Sequence, residues 1–424
     1  MKEESQLGLN AQHVWGFYVD KEEITMQGWP QILKPEVAEL SKRRIEMAHR
    51  YGQKIIAYGP WYLCRKATDY PVFGREMWAE PFRDMSCFGT GHCWRSPFAD
   101  LFVWLQVQRV RDLGIDGFRS DGSTDPLICS SLEHTSYGSQ CGWLDDNGKL
   151  QGSFGIFSTR EALKRLWRIF HGGERTDGIC AHGSGLGYDA LYNHIDITID
   201  SEGSETFTTK ALKDKPLDYW RASKLWRPHG LQSIYGGKLI HLGMDSRHAI
   251  AVIHDLLPRS SPSISSRIQA LDYAYSRQGE GIVQVVWALR QWIGAKDLRT
   301  RFYGYWENQG WVNTGSEDLP VGVYLMEGRK AALVIGNMSR KSEMAAVTLK
   351  KAKFHFGDNP WYALDPATGV RYEVKDNGDS VKLTIPVGAE SFRMVMLSPT
   401  PLKADVPAVK GKSLIDIADF AGAD

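Results

Sequence analysis

The chain has no run of about 18 apolar residues, the length a membrane-crossing helix needs. It also lacks a block of one charge: 51 Lys and Arg stand against 50 Asp and Glu, a net +1. With no basic stretch long enough to track phosphates, nucleic acid is not expected as the main partner. Cysteine is sparse, six in 424 residues, and an even count in so long a chain says little about disulfides. Cys87 and Cys93 flank His92 at a spacing that fits no standard zinc pattern. They read as loop thiols or a loop disulfide, so no metal and no organic cofactor is implied. GxSxG, P-loop and HExxH motifs do not occur, which lowers serine-hydrolase, nucleotide and zinc-protease chemistry. The stretch Gly183-Ser184-Gly185-Leu186-Gly187 lacks the Lys-Ser/Thr that a phosphate loop requires. Residues 1–10 are polar, without the apolar core of a secretory signal. The chain as written is expected to be cytoplasmic, and periplasmic or secreted if a further N-terminal portion precedes it.

What is present is ordinary globular material, 42% hydrophobic and 24% charged, enough for a large core. Aromatics are plentiful, with 15 Trp, 17 Tyr and 16 Phe. Most belong in the core, but such a supply also suits a cleft that stacks sugar rings. The length suggests one large domain with a smaller one. Val14–Asp20 reads as a buried strand ending in a carboxylate. Pro35–Tyr51 has helical periodicity, with Pro35 suited to the first turn and Gly52 to the stop. Lys54–Pro60 is a strand that empties into Trp61-Tyr62, and 64–97 reads as a long loop. Asp100–Leu113 is a helix, and the strand around Gly117–Asp121 follows it. Ser123–Phe157 reads as a second long Gly/Ser/Cys loop, and Thr159–His171 as an amphipathic helix.

Further strands are expected at Asp177–Ser184, ending near His182, at Asp196–Glu202, and at Lys238–Met244, followed by Asp245. Helices are expected at Leu217–Trp226, Ser246–Leu257 and Ile282–Ile293. Strand–helix alternation of this kind argues for a parallel sheet, and an ordered run of such strands for a (β/α)8-type TIM barrel. Six strands are legible rather than eight, which suggests an incomplete barrel or a missing N-terminal part. From about residue 320 the pattern changes to short alternating strands, the signature of an all-β sandwich. The expected division is a barrel over 1–310, a sandwich over 320–400 and a tail over 401–424.

The chemistry is sought where strands end in acids. Arg119 and Asp121 lie two apart on one strand and share a face, and the cation favours the ionised carboxylate. Active sites of (β/α) barrels sit at the C-terminal ends of the strands. Asp20, Asp200 and Glu202 end other strands of the set. Paired carboxylates in unequal environments are what glycosidic cleavage requires, one protonated and one ionised. Glu202 is the candidate acid, with Asp200 or Asp121 as its ionised partner. His182 is placed to bond a sugar hydroxyl, and Asp245 shares the strand-end position. Trp61, Tyr62, Trp94 and Trp143 are candidate sugar platforms.

The order of GIDGFRSDGSTDP, the Cys129–Gly142 loop, LQGSFGIFSTREALKRLWRIF, DGICAHGS, the IDSEG step and VIHDLLPRS resembles bacterial glycoside-hydrolase-like proteins related to glycoside hydrolase family 123, the β-N-acetylgalactosaminidases. The resemblance covers roughly residues 13–397. It implies a barrel with an oligosaccharide or glycoconjugate substrate. It also implies an Asp that orients the substrate's acetamido group beside a Glu acting as acid/base. Asp200-Ser201-Glu202 is the matching step, though the family pair is adjacent and this one has Ser201 between. DGFRSD also resembles the strand motif of α-amylase-type barrels, in which the Asp, here Asp121, is a covalent nucleophile supported by the Arg, here Arg119. The Asn-His-Asp triplet of that group is not found; His254-Asp255 lacks the Asn and reads as helical. A carbohydrate-binding protein without turnover is the alternative from another functional class.

Overall fold

The computed structural model describes residues 11–14, 35–60, 62–63, 90–121, 128–136, 139–172, 178–183, 193–200, 216–224, 232–235, 244–258, 286 and 288–403. Two compact units are present, one of residues 1–203 with 226–232, the other of 204–225 with 233–424.

The first unit opens with β1 (Ala11–Val14), α1 (Pro35–Arg50), β2 (Lys54–Pro60) and the short β3 (Tyr62–Leu63) and β4 (Thr90–Gly91). Helix α2 (Phe98–Leu113) leads into β5 (Gly117–Asp121). Five small strands come next: β6 (Ile128–Cys129), β7 (Thr135–Ser136), β8 (Ser139–Gln140), β9 (Gly142–Leu144) and β10 (Leu150–Phe154). Helix α3 (Ile156–His171), β11 (Ile179–Gly183) and β12 (Ile197–Asp200) complete the unit.

Strands β1, β2, β5, β11 and β12 pair side by side in that order, every pair parallel. Strands added in chain order, with α1, α2 and α3 in the first three connections, are the unrolled arrangement of a (β/α) fold. The helices form because apolar positions recur at helical spacing. Ser41, Ile45 and Ala48 are the buried stripe of α1, and Phe98, Phe102, Leu105, Arg109 and Leu113 that of α2. Gly114 ends α2 in the left-handed conformation (φ 76°), its N–H donating to the Val110 carbonyl at 3.0 Å. The stripes meet one face of the sheet, where Phe118 of β5 and Cys180 of β11 join Phe102, Leu163, Leu166 and Phe170. Burial of each such aromatic stabilises the unit by roughly 1.5–3 kcal/mol.

The stretch expected as a long loop at Ser123–Phe157 is in part sheet. Its β10 pairs antiparallel with both β6 and β9, and β7 pairs with β8. These strands are two to five residues long, too short for a period to show. The first strand starts at Ala11, and residues 15–20 of the expected strand lie outside the described residues.

The second unit contains α4 (Leu217–Lys224), β13 (Gln232–Tyr235), α5 (Met244–Ile253) and β14 (Leu257–Pro258), with β13 and β14 parallel. Strand β13 had no counterpart in the sequence reading, while Met244 and Asp245, expected at a strand's end, lie in the first turn of α5. Leu257, expected to be helical, is in β14. The β-rich part then runs through β15 (Thr300–Tyr303), β16 (Val312–Asn313), β17 (Val321–Met326), β18 (Lys330–Gly336) and β19 (Glu343–Lys350). It continues with β20 (Tyr362–Leu364), β21 (Arg371–Tyr372), β22 (Lys375–Asp376), β23 (Ser380–Val387) and β24 (Phe392–Ser398).

Two antiparallel sheets result, ordered β15-β17-β18-β24-β20-β21 and β16-β19-β23-β22. Their facing sides share one core, with Val323, Leu333 and Val395 on one sheet and Val347, Leu383 and Ile385 on the other. The outer face of the six-stranded sheet is buried as well. Tyr324, Ala332, Val334, Met394 and Met396 pack there against Val252 and Ile253 of α5 and against Leu289 and Ile293. That double burial explains why β17 and β24 are buried at every position, whereas β19 and β23 alternate.

A polar network sits at the end of α5. Asp255 has a left-handed backbone (φ 57°) and is 4% exposed. Its carboxylate accepts hydrogen bonds from the Arg290 guanidinium and the Tyr324 hydroxyl. Neighbouring His254 is fully buried; its Nδ1 bonds the Ile250 carbonyl at 2.8 Å and its Nε2 meets the Tyr305 hydroxyl at 3.2 Å. Burial pushes the imidazole pKa down to about 4.

Asp255→Asn keeps a residue type that tolerates the left-handed backbone but leaves the Arg290 charge uncompensated, and is expected to cost about 3–5 kcal/mol in urea unfolding. His254 binds its proton more weakly in the folded state than in the unfolded chain, whose pKa is near 6.5. Its contribution is therefore complete above about pH 6.5 and is lost as pH falls toward 4, by an order of about 3 kcal/mol. His254→Gln is expected to flatten the stability–pH curve across that window, measured by urea unfolding at several pH values.

Candidate functional site

The parallel sheet of the first unit has two chemically different ends. At the N-terminal end an acid just ahead of a strand braces the preceding strand. Asp116, before β5, accepts the Ile55 N–H at 2.8 Å and contacts His49 Nε2 at 2.7 Å. Asp196, before β12, accepts the Cys180 N–H at 2.7 Å and lies 3.3 Å from His171 Nε2. In both cases the histidine is in the last turn of the helix preceding the braced strand, His49 on α1 and His171 on α3. The same device therefore occurs twice, built from residues far apart in the chain. It gives His171, Cys180 and Asp196, whose ligand-type atoms cluster, a structural role.

At the C-terminal end the register brings strand ends level. Pro60 of β2, Asp121 of β5 and Gly183 of β11 are partners across the ladder. Gly183 is in turn level with Ile199 of β12, so Asp200 follows one residue later. The backbones of β5 and β12 are two strand spacings apart, about 10 Å. Phe118 belongs to the helix-facing core, and alternation puts position 119 in the other row with position 121. Arg119 is completely buried. A guanidinium withdrawn from water persists only where charge and hydrogen bonding compensate it.

The remaining predicted site residues divide clearly. For Tyr62, Asp121, His182, Asp200 and Asp245 the description extends to the backbone. Tyr62 pairs with Gly91 in the β3–β4 hairpin, and His182 is the penultimate residue of β11. Asp245, in the first turn of α5, does not occupy the strand end expected of it. Trp143, on β9, is 54% exposed, the state a stacking platform needs. Trp94 is 6% exposed and packs among His92, Phe98 and Phe102, so it is a core residue rather than a platform. Asp20, Trp61 and Glu202 lie outside the described residues.

A cluster not foreseen from the sequence lies between α2 and α3 in the chain and reaches back to Cys93. The side chains of Cys93, Cys129, His134 and Cys141 are all buried, and their ligand-type atoms lie within 4.8 Å of one another. His92, which Cys87 and Cys93 flank in the sequence, is not part of it and lies against the Phe98 ring, tilted by 36°. Cys87 lies outside the described residues.

No protein-family model matches the sequence, and no curated protein matches it. The fold does have counterparts among solved structures. A maltogenic α-amylase from Thermotoga neapolitana shares it with a TM-score of 0.55 at 11% identity, over 93% of this chain and 92% of that one. An Anoxybacillus α-amylase gives 0.54 at 12% identity, over 94% and 88%. A candidate α-N-acetylgalactosaminidase from Bacillus halodurans C-125 gives 0.51 at 12%, over 93% and 90%. At these identities what is shared is the fold.

The strand carrying Arg119 and Asp121 starts at a glycine for a steric reason. A Cβ on Gly117 would stand 2.3 Å from the Ile179 carbonyl oxygen of the neighbouring strand. Gly117→Ala is expected to lower stability by about 1–3 kcal/mol in urea unfolding, with the strand pushed off its partner.

Proposed function

We propose that the chain is a glycoside hydrolase whose parallel strands form a (β/α)8-type barrel ahead of Thr300, with the β-sandwich following it. The observation that carries this reading is the alignment of strand ends, with Asp121 and Asp200 at the C-terminal edge of parallel strands and a buried Arg119 in the row of position 121. Barrel enzymes keep their reacting groups at that edge. The shared fold with α-amylases and a candidate α-N-acetylgalactosaminidase supports the same class of reaction on a carbohydrate.

In this reading Glu202 protonates the leaving glycosidic oxygen, and Asp121 or Asp200, held ionised, stabilises or attacks the oxocarbenium-like centre. The Arg119 cation favours ionised Asp121. His182, Asp20, Tyr62 and Trp61 belong in this reading to the sugar-binding surface, and Trp143, which is exposed, serves as a stacking platform. The resemblance of the Asp200-Ser201-Glu202 step to family 123 adds a substrate-assisted variant, in which Asp200 orients an N-acetyl group of the sugar. A second reading is favoured by the α-amylase folds and the GFRSD strand: Asp121 as covalent nucleophile of a retaining enzyme.

The test is hydrolysis of a broad glycoside panel by the whole chain. Glu202→Gln and Asp121→Asn are each expected to lower kcat by about 10²–10⁴-fold, the contribution of a positioned acid or base, while sugar binding persists. Binding without turnover in the unsubstituted chain would replace the hydrolase by a carbohydrate-binding protein. The anomeric configuration of the first product, read by NMR, tests the second reading: inversion removes Asp121 as nucleophile, while retention with a sugar that carries no N-acetyl group supports it, since the substrate-assisted variant also retains configuration.

A further inference from the structure

We propose that Cys93, Cys129, His134 and Cys141 form a closed, tetrahedral structural site for one zinc ion. Cys93 follows β4, Cys129 ends β6, His134 precedes β7 and Cys141 lies between β8 and β9. Three thiols and an imidazole are a donor set of structural zinc. Their soft sulfur ligands select zinc over oxygen-seeking magnesium or calcium.

The spacing of the ligand atoms fits the ion. Zinc–sulfur bonds near 2.3 Å and a zinc–nitrogen bond near 2.05 Å put tetrahedral ligands about 3.5–3.8 Å apart. Cys93 Sγ and Cys141 Sγ are 3.5 Å apart, as are Cys129 Sγ and His134 Nδ1. No disulfide joins these cysteines, and a sulfur–sulfur separation of 3.5 Å is far beyond the bonded distance of about 2.05 Å. A disulfide between any two would in any case strand the third.

The surroundings are those of a bound thiolate centre. The Arg95 N–H points at Cys93 Sγ at 3.4 Å. The Arg95 guanidinium holds the Gln140 carbonyl at 3.1 Å and Ser153 Oγ at 3.0 Å, and that hydroxyl donates to the Cys141 carbonyl at 2.7 Å. The Cys141 N–H donates to the His134 carbonyl at 3.0 Å. Outer contacts of this kind orient metal ligands.

The small sheet around the cluster has little else to hold it. Ile128, Leu132, Trp143, Leu144, Leu150 and Phe154 are all exposed. Among the described residues the buried apolar cluster there consists of Cys93, Cys129 and Cys141. A subdomain with so small an apolar core among its described residues needs a staple, and a metal with four side chains supplies one. The ligands come from two connections, β2 to α2 and β5 to α3, so the ion ties together loops that leave the edge where β5 ends. With all four positions taken by protein, its role is structural.

The test uses the full chain, purified without chelator and analysed by elemental mass spectrometry. About one zinc per chain is expected. Cys129→Ser and Cys141→Ser should each reduce it to below about a tenth of that value. His134→Cys, which preserves a four-donor set, should retain the ion, as should Cys180→Ser, whose thiol belongs to the helix–sheet core. Replacement by Co²⁺ should give the intense visible bands of tetrahedral thiolate coordination, and a strong chelator should lower the melting temperature. The proposal falls if the folded chain carries no stoichiometric zinc. It also falls if zinc survives both serine substitutions, or if intact-mass analysis finds two of the cluster thiols joined as a disulfide.

Discussion

Parallel pairing of β5 between β2 and β11 is the constraint on which the first unit depends. Once Gly117 is level with Ile56 and Ile179, every later position on the strand is set, and Asp121 must come level with Pro60 and Gly183. A slip of one residue would turn Phe118 out of the helix-packed core and put Arg119 into it, so burial enforces the register. Glycine at position 117 permits the close approach, and the Asp116 brace to Ile55 pins the strand's beginning. The proposed chemistry therefore depends on packing and hydrogen bonding at the far end of the same strand.

The second unit is governed by a sheet that is covered twice. Its middle strands have no solvated face, because the four-stranded sheet covers one side and α5 with Leu289 and Ile293 covers the other. Polar groups that reach this layer must be compensated, and Asp255, Arg290 and Tyr324 compensate one another. This cluster supports the junction between helix and sheet within the unit, with His254 held neutral beside it by burial.

The sequence announces elements whose period is long enough to read. Helix α1 runs Pro35–Arg50 where Pro35–Tyr51 was expected, and α3 starts three residues ahead of the expected Thr159. Strand β2 has its expected bounds, and six of the eight strands from Val321 to Ser398 overlap the alternating pattern expected there, β21 and β22 being only two residues long. Strands of two or three residues, such as β6 to β9, carry no period at all, and β15 and β16 precede the visible change of pattern. Arg119 and Asp121 were legible because one strand holds both. The cysteine cluster was not, because Cys93 and Cys141 are 48 residues apart and no local spacing links them. The His49–Asp116 pair is hidden in the same way, across 67 residues.

The two histidine–aspartate braces have an architectural consequence. They secure strands from below, using only helix ends and strand starts, and draw on nothing from the connections that leave the upper rim. Those upper connections can lengthen, shorten or change composition while the scaffold beneath keeps its alignment. A framework so divided leaves the surface of its upper rim open to change by loop exchange, with little penalty to folding.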